Sequence, residues 1–297
     1  MIEDRFAPLA GRAVLAVAGD DRRTFLQGLI SNDVEKVAAT RAVHAAFLTA
    51  QGRFLHEFFL VEHGDALLLE AEAERLDDLR RRLSLYRLRA KVAIERRDAL
   101  AVFALFGDGA PARLGLAAER SAAAPFAGGV AFVDPRLPAL GVRVLAPAGA
   151  ATAIAAAGFA EAPFAAWDTH RLALGVPDGS RDLPIEKALL LENGFDELEG
   201  VDWKKGCYIG QELTARMKYR ALVRKRLTPV RIDGPAPPPG TPVMLGADEA
   251  GEMRSARDDR GLALLRLEAV ETASRESRPL TAGEARLTPA TPAWAAG

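Results

Sequence analysis

Cysteine is nearly absent from this chain of 297 residues, which contains it once, at Cys207. A single cysteine excludes an internal disulfide, which is usual for proteins of a reducing compartment. It also excludes the common self-contained metal centres, because an iron–sulfur cluster normally takes about four thiolates and a structural zinc about four Cys or His ligands. None of the four histidines stands at metal-ligand spacing from Cys207. We therefore expect no metal site in the chain alone, although it can supply one ligand to a shared cluster.

A charge excess and a long apolar run are also missing. The formal net charge is -1, which argues against a nucleic-acid partner, since nucleic-acid-binding surfaces are distinctly basic. No apolar run approaches the about 20 residues of a membrane span, and the N-terminus lacks the basic-then-apolar layout of a secretion signal. These absences predict a cytoplasmic protein without a membrane partner. Hydrophobic residues make up 49% of the chain, enough for one large core or a few small ones.

Two kinds of apolar periodicity alternate along the first part of the chain. Alternating or continuous apolar runs predict strands at residues 12–17, 43–48, 54–61, 66–70 and 101–106. Apolar residues at helical spacing predict helices near residues 21–30, 76–83, 149–157 and 163–172. Strands interleaved with single helices indicate an α+β region of split-βαβ type over residues 1–222, in one or two subdomains.

The last part of the chain has a different pattern. Short strand-like segments separated by Gly and Asp predict a C-terminal β-barrel domain over residues 223–297. The proline-rich segment 231–242 indicates a boundary or a stiff turn. We expect the tail from Pro289 to fray.

The lone cysteine lies in the run Lys204-Lys205-Gly206-Cys207-Tyr208-Ile209-Gly210-Gln211-Glu212. Its glycines suit a sharp turn or a close approach of the backbone to a ligand. A free cysteine is most often a small buried hydrophobe, but neighbouring cations favour the reactive thiolate. No His/Asn partner pattern for a protease-type nucleophile is evident. The run therefore predicts a redox, sulfur-handling or metal-sharing thiol.

Polar residues beside the cysteine have two interpretations. Gln211 and Glu212, with Arg216, could hold the donor edge of a heterocycle, as amides and carboxylates do with bases. Alternatively, Glu212 and Arg216 form a surface ion pair at i, i+4.

Two basic groups are equally open to two interpretations. They are a solvated surface, or they attract a polyanion such as RNA phosphates or a polyglutamate chain. The first group is Arg80, Arg81, Arg82, Arg87, Arg89, Lys91, Arg96 and Arg97, and the second runs from Lys218 to Arg226.

The segment from Lys205 to Arg216 resembles the signature of the YgfZ family, CAF17-like folate-binding relatives of the glycine-cleavage aminomethyltransferase (T-protein). Similar matches occur at Phe25–Gly28 with Asn32–Val34, at Gln51–Arg53 and at Leu85–Arg89. The segments Gly175–Pro177, Arg181–Pro184 and Val223–Leu227 look like the mitochondrial branch of the family, which works in iron–sulfur protein maturation. The matches extend over most of the chain, from about residue 12 to 245.

The resemblance implies an aminomethyltransferase-like folate-binding fold and a role in assembly or repair of [4Fe-4S] clusters in client enzymes, including radical-SAM enzymes that modify tRNA. Its implied cofactor is tetrahydrofolate or another reduced folate. Its implied partners are the client enzymes and cluster assembly proteins. Cys207 would be the reactive group. The implied cofactor-binding residues are Lys205, Gly206, Tyr208, Gly210, Gln211, Glu212, Arg216, Asn32, Arg53, Tyr86, Arg89, Lys91 and Arg171.

The chain departs from the transferases at two places. His56 and Glu57 stand where those enzymes carry an acidic pair, and Arg171-Leu172-Ala173 replaces an arginine-leucine-glutamate run that helps hold the pterin. These losses favour an assembly factor over an enzyme. The alternative is a tetrahydrofolate-dependent aminomethyltransferase or other one-carbon transferase that uses His56 or Glu57.

Overall fold

The computed structural model describes residues 3–295, which form two compact units. The first unit contains residues 3–50, Leu55–Trp167 and Leu198–Ile209. The second contains Gln51–Phe54, Asp168–Glu197 and residues 210–295.

Strands outnumber helices in the part of the chain that the structure describes. The α-helices are α1 (Arg22–Gln27), α2 (Leu76–Tyr86), α3 (Ala110–Arg113), α4 (Ala150–Ala156), α5 (Phe164–Ala173), α6 (Gly179–Asp182), α7 (Gln211–Tyr219) and α8 (Leu267–Arg275). The strands are β1 (Arg5–Pro8), β2 (Arg12–Ala18), β3 (Val43–Leu48), β4 (Phe54–His63), β5 (Ala66–Glu72), β6 (Ala93–Arg96), β7 (Leu100–Phe106), β8 (Ala123–Phe126), β9 (Gly129–Val133), β10 (Val142–Pro147), β11 (Ala160–Glu161), β12 (Lys225–Asp233), β13 (Pro242–Leu245), β14 (Asp248–Arg257), β15 (Arg260–Arg266), β16 (Leu280–Ala282) and β17 (Ala285–Pro289). Short 3-10 helices occupy Val34–Lys36, Ala73–Arg75, Pro138–Leu140, Leu190–Asn193 and Ala293–Ala295.

The first sheet has the strand order β3-β4-β5-β2-β6. Strands β2 and β5 are antiparallel, with Leu15 opposite Leu69, and both leucines are buried. Helix α2 adds Leu76, Leu79 and Leu83 to the same core, because residues at i, i+3 and i+7 share one face of a helix. The strands and the α2 helix predicted for this region are confirmed.

The second sheet of the first unit has the order β11-β1-β7-β10-β9-β8. Strands β1 and β11 are parallel, whereas β7, β8, β9 and β10 pair antiparallel. Phe103 and Leu105 of β7 pack with Val144 of β10 and Ile154 of α4. The alanine-rich helix predicted near residues 149–157 is α4 and is confirmed.

The second unit contains a closed barrel with the strand order β12-β15-β14-β13-β16-β17. Its interior is filled by apolar side chains from alternate strand positions, including Val230, Ile232, Met253 and Leu265, as the two-residue period of a strand requires. Ala273 of α8 joins the same core. The C-terminal barrel predicted from the sequence is confirmed.

Two sequence expectations about this unit need correction. Of the two interpretations of the proline-rich segment 231–242, the domain boundary is wrong. The segment supplies the end of β12, a turn and the start of β13 within one barrel. The tail expected to fray from Pro289 is attached as far as the structure describes it. The indole Nε1 of Trp294 donates a hydrogen bond of 2.8 Å to the carbonyl of Leu174.

None of the helices in residues 3–295 is long and apolar enough to cross a bilayer.

Candidate functional site

The segment 202–209, here called the cysteine loop, begins with a turn that the side chain of Asp202 fixes. Asp202 Oδ1 accepts hydrogen bonds from the N–H groups of Lys204, at 2.6 Å, and Lys205, at 2.8 Å. The other carboxylate oxygen of Asp202 pairs with Lys36. An aspartate that binds backbone N–H groups two and three residues ahead sets a tight turn, so the start of the loop has a defined direction.

Lys205 points inward from this turn. Its Nζ donates hydrogen bonds to the carbonyl oxygens of Gln27, Ile30 and Asn32, at 2.8, 2.7 and 2.7 Å. These carbonyls belong to the end of α1 and the segment after it, where a helix leaves acceptors without partners. Burial lowers the pKa of Lys205 to about 8. The ammonium has one hydrogen for each carbonyl, so Lys205 anchors the loop while its own hydrogen-bonding capacity is used in full.

The end of the loop is also anchored. Tyr208 is buried, and the Lys205 Nζ lies 5.3 Å from the centroid of its ring. The Ile209 N–H donates to the carbonyl of Gly28 at 3.2 Å, and the Ile209 side chain packs on the core. Gly206 and Cys207, between the two anchors, are exposed to solvent.

Cys207 is therefore a free and exposed thiol. The interpretation of this cysteine as a small buried hydrophobe is excluded. Gly206 beside it is exposed as well, and a Cβ at that position would meet no atom within 4 Å. The glycine leaves the flank of the thiol open instead of relieving a contact within the chain.

Gly210 begins the helix after the loop and lies in the second unit. Its φ of 81° is left-handed, a conformation that favours glycine. In α7, Glu212 and Arg216 are exposed and pair with each other, and Gln211 is partly exposed. The structure thus shows the surface ion pair, the second of the two sequence interpretations.

Both the nitrogen and the oxygen of the Asn32 side-chain amide form hydrogen bonds within the protein. Its Nδ2 donates to the carbonyls of His44, at 2.8 Å, and Glu199, at 2.7 Å, while its Oδ1 accepts from the N–H of Asp33 at 2.8 Å. The residue is buried. Its role is to join the segment after α1 to β3 and to the turn before the cysteine loop.

A cavity of about 330 Å³ lies beside the cysteine loop in the first unit. Its wall contains an indole, an imidazole, three cations and two carboxylates. The lining residues are Asn32, Lys36, Arg41, Val43, His44, Ser121, Pro135, Glu199, Val201, Asp202, Trp203 and Lys204. Asn32 was predicted from the sequence as a cofactor-binding residue, and Lys204 was named there as part of the cysteine run. Trp203, one of only three tryptophans and adjacent to the cysteine motif, was the signal that could have found the cavity.

A buried ionic network stands behind His44. The imidazole Nε2 lies 3.0 Å from Glu57 Oε1, and Nδ1 lies 3.2 Å from the carbonyl of Leu198. Arg136 reaches Glu57 at 3.3 Å. Burial alone raises the pKa of Glu57, but the hydrogen bond with His44 and the charge of Arg136 outweigh it and lower the pKa to about 2. Ion pairs continue the network through Asp134, Arg143, Glu70 and Arg12.

His56 faces the opposite way, because adjacent residues of a strand point to opposite faces. Its Nε2 lies 3.0 Å from Asp78 of α2. Burial lowers the pKa of His56 to about 4, helped by the charge of Arg75. The imidazole is neutral near pH 7 and buried under α2, and Glu57 is a fully paired carboxylate. Neither residue is placed as the base that a one-carbon transferase would need.

Arg171 is enclosed in the second unit, away from solvent. Its guanidinium donates to Asp168 at 2.8 Å, to Asp182 at 2.6 Å and to the carbonyl of Val176 at 3.2 Å. Asp168 also pairs with Arg257. The sequence predicts a ligand contact for Arg171, but the structure directs its guanidinium into a structural ion network.

Of the remaining predicted residues, Arg53 is half-buried, whereas Tyr86, Arg89 and Lys91 are exposed. Arg53 donates from Nη1 to the carbonyl of Lys187 at 2.8 Å. Tyr86, Arg89 and Lys91 lie at the end of α2 and in the turn after it. The cavity wall, as far as the structure describes it, includes none of these three. Asn32 is the predicted cofactor residue that lines this cavity.

Within residues 3–295, no group of three or more His, Cys, Asp or Glu side chains is arranged to hold a metal ion.

Comparison with known proteins gives a consistent set of relatives. The family described as "CAF17, C-terminal beta-barrel domain" matches residues 224–297. The "Iron-sulfur cluster assembly factor IBA57, mitochondrial" of Homo sapiens is 37% identical over 279 residues, covering 86% of this chain and 76% of that protein. Its Mus musculus counterpart is 34% identical over 288 residues, covering 89% and 78%.

Among solved structures, the glycine cleavage system aminomethyltransferase T from Bartonella henselae superimposes with a TM-score of 0.78. The match covers 97% of this chain and 85% of that one at 14% sequence identity. It shows the fold alone, and it confirms the predicted aminomethyltransferase-like architecture. The expected cytoplasmic location is wrong, because the curated relatives are mitochondrial proteins.

Proposed function

Since the chain belongs to the family of the IBA57 iron–sulfur cluster assembly factors, we propose that Cys207 supplies one ligand to a cluster whose other ligands come from a partner protein. The coarser role, iron–sulfur cluster assembly, follows from the family. The finer role rests on a single structural observation. Lys205 is turned inward and fully bonded, and Cys207, two residues later, is exposed.

This arrangement suits transient ligation. The loop is fixed at both ends, so little conformational entropy is lost when the thiol engages a partner. On engagement the Cys207 thiol loses its proton and a bond forms between its sulfur and a cluster iron. On release that bond breaks and the sulfur regains a proton. The exchange changes no oxidation state, so it requires no electron donor.

Co-reconstitution tests the proposal. The purified protein is mixed with a purified apo iron–sulfur carrier protein, ferrous iron and sulfide without oxygen. The complex is then isolated by gel filtration and its iron and sulfide are counted. We expect a cluster-containing complex with the wild type and with Ser274→Ala, an exposed control in α8, and a loss of cluster with Cys207→Ala. A full cluster content in Cys207→Ala would exclude the thiol as a ligand.

A reduced folate is the second part of the proposal. It is supported by the aminomethyltransferase-like fold and by the cavity beside the cysteine loop, whose volume falls in the range of small-molecule sites. Trp203 offers a ring for stacking, and Glu199 offers a carboxylate for the N–H edge of a pterin. Lys36 and Arg41 are suited to the carboxylates of a glutamate tail. When bound, the folate would supply a carrier for a one-carbon unit, a reaction for which His56 and Glu57 are not placed.

Fluorescence titration tests this part. Addition of 5-formyltetrahydrofolate should quench the tryptophan emission of the wild type. The control variant Trp294→Phe removes a tryptophan of the second unit and should be quenched in the same way. The response should vanish in Trp203→Phe. A quench that survives in Trp203→Phe places the folate elsewhere.

The clients that we propose are [4Fe-4S] enzymes, among them radical-SAM enzymes that modify tRNA. The support for this choice is the similarity of the cysteine motif to the YgfZ family. In a strain without the gene, the wild-type gene should restore the modified nucleosides, as measured by mass spectrometry of digested tRNA. Full restoration by Cys207→Ala would contradict the role of the thiol in that pathway.

A further inference from the structure

We propose that the turn after α2 is a docking surface for an acidic partner protein, the one that shares a cluster with Cys207. This surface, here called the α2 corner, consists of Leu85, Tyr86, Arg87, Leu88, Arg89 and Lys91. The inference rests on the proposed function, because it takes the partner from there. It adds where that partner binds and which surface chemistry it carries.

Apolar side chains project from the α2 corner into solvent. Leu88 is 89% exposed, Leu85 65% and Tyr86 43%. Single exposed leucines are ordinary on protein surfaces, but a contiguous group of three large apolar residues marks an interaction site. The core of this unit is complete without them, since α2 already buries Leu76, Leu79 and Leu83.

The backbone conformation at Leu88 is unfavourable for a leucine. Leu88 has a φ of 43°, in a turn closed by a hydrogen bond of 2.7 Å from the Ala90 N–H to the Arg87 carbonyl. Glycine is the residue that adopts such an angle without a steric penalty. Strained backbone of this kind concentrates at functional sites. Here a leucine occupies the strained position and also exposes its side chain, as a residue that contacts a partner would.

The charges of the corner lack internal partners. Within residues 3–295, the side chains of Arg87, Arg89 and Lys91 take part in no ion pair. The other cations of the same basic group differ, because they pair with nearby carboxylates. Those pairs are Arg80 with Asp77, Arg81 and Arg82 with Asp78, Arg96 with Asp77 and Asp98, and Arg97 with Glu95. The basic group therefore divides into a self-neutralised part and a net positive corner, which complements an acidic face.

The corner and the cysteine loop share supporting residues. Lys205 of the loop donates to the carbonyl of Ile30 at 2.7 Å, and Ile30 is bridged to Phe47 in an antiparallel pair. The ring of Phe47 meets the ring of Tyr86 edge-on, with the centroids 6.0 Å apart. Since directly bridged residues have Cα atoms about 5 Å apart, a single partner can cover the corner and reach Cys207.

The occupant is a protein because Cys207 needs a protein to supply the remaining cluster ligands, and because the leucines of the corner are suited to an apolar protein surface. An anionic bilayer would also accept leucines flanked by cations. Lipid and RNA are therefore outcomes of the test, and each would overturn the inference.

Affinity measurements with matched variants test the inference. The probe is a purified apo iron–sulfur carrier protein, titrated calorimetrically into the 297-residue protein. We expect Leu88→Gly to lower the affinity by about tenfold, as for removal of an interface anchor, while its Tm is unchanged or higher because glycine relieves the turn. Arg89→Glu should lower the affinity by about threefold to tenfold at low salt, with the difference shrinking at high salt. Arg266→Glu, an exposed barrel arginine without an ion pair in the described chain, should bind as the wild type does.

Two further arms separate this inference from the proposed function. Cys207→Ala should bind the apo carrier as the wild type does yet form no clustered complex. Equal affinities of the wild type, Leu88→Gly and Arg89→Glu would overturn the α2 corner while leaving the thiol role intact. Binding to vesicles of 70% phosphatidylcholine and 30% phosphatidylserine, or to bulk tRNA, that is lost in Leu88→Gly would reassign the corner and also overturn the inference.

Discussion

The ammonium of Lys205 donates a hydrogen bond of 2.7 Å to the carbonyl oxygen of Asn32. The two residues are separated by most of the chain, yet this contact decides the orientation of the cysteine loop. With Lys205 held inward beside the ring of Tyr208, the residues between the anchors turn outward and the thiol is exposed. The Cys207 thiol is thus exposed, whereas Lys205, which positions it from two residues earlier, is buried.

Replacing Lys205 by methionine should destabilise the first unit. The change leaves three carbonyls, two of them in buried contacts, without their donor. Methionine avoids the cost of burying an ammonium group, but this gain offsets only part of the loss. We expect a loss of about 2 to 4 kcal/mol in the free energy of unfolding, measured with urea. Lys204→Met, an exposed neighbour, should change it by less than about 0.5 kcal/mol. A stability equal to the wild type in Lys205→Met would contradict the anchoring role.

His56 should make stability fall as the pH drops through the weakly acidic range. Burial lowers its folded pKa from 6.5 to about 4, so between these values the unfolded chain binds a proton that the folded chain does not. The free energy of unfolding is unaffected by protonation of His56 above pH 6.5. It falls as the pH drops from 6.5 toward 4, with a slope of up to about 1.4 kcal/mol per pH unit. Burial raises the pKa of Asp78, but its hydrogen bonds, above all with Arg82, lower it to about 2, below this window.

Urea unfolding from pH 7 to 4 measures that slope. The variant His56→Asn should show a shallower loss of stability than the wild type, and His63→Asn, at the end of the same strand, should follow the wild type. Parallel curves for the wild type and His56→Asn would show that the imidazole is protonated in the folded state.

Glu57 should prove structural instead of catalytic. In Glu57→Ala the buried guanidinium of Arg136 loses one of its carboxylates, and His44 loses its partner at Nε2. Removing one partner of a buried ion pair costs about 3 to 5 kcal/mol, which a drop in Tm will report. Glu57→Gln keeps the shape and an acceptor oxygen and should cost less. Glu119→Ala, an exposed control, should leave the Tm unchanged.

Gly52 should tolerate no side chain. Its φ is 78°, and a Cβ there would lie 2.8 Å from the carbonyl oxygen of Gly210 and from the Cβ of Leu213. The strained angle and the overlap together predict a loss of about 2 to 4 kcal/mol for Gly52→Ala. Gly11, where a Cβ would meet no atom within 4 Å, provides the matched control. Thermal denaturation of the two alanine variants compares them directly, and equal Tm values would refute the prediction.

Local patterns in the sequence determined much of the architecture. The strands at residues 12–17 and 43–48, the helix through Leu83 and the barrel were all predicted, because each follows from side-chain periodicity over a few residues. The exposed pair of Glu212 and Arg216 was one of two stated interpretations for the same reason, since i, i+4 contacts are local.

Only the tertiary structure decided what the charged and polar side chains bind. Arg171 and Glu57 were considered as ligand or catalytic groups, but one is enclosed by Asp168 and Asp182 and the other by His44 and Arg136. The fold likewise decided that a cavity forms around Trp203 and which cations of the basic group remain without an ion pair in the described chain. Hydrogen bonds and ion pairs that close over tens to hundreds of residues leave no periodic trace. The sequence alone therefore identified Cys207 as the group of interest, and the fold, through Lys205, decided that its thiol faces outward.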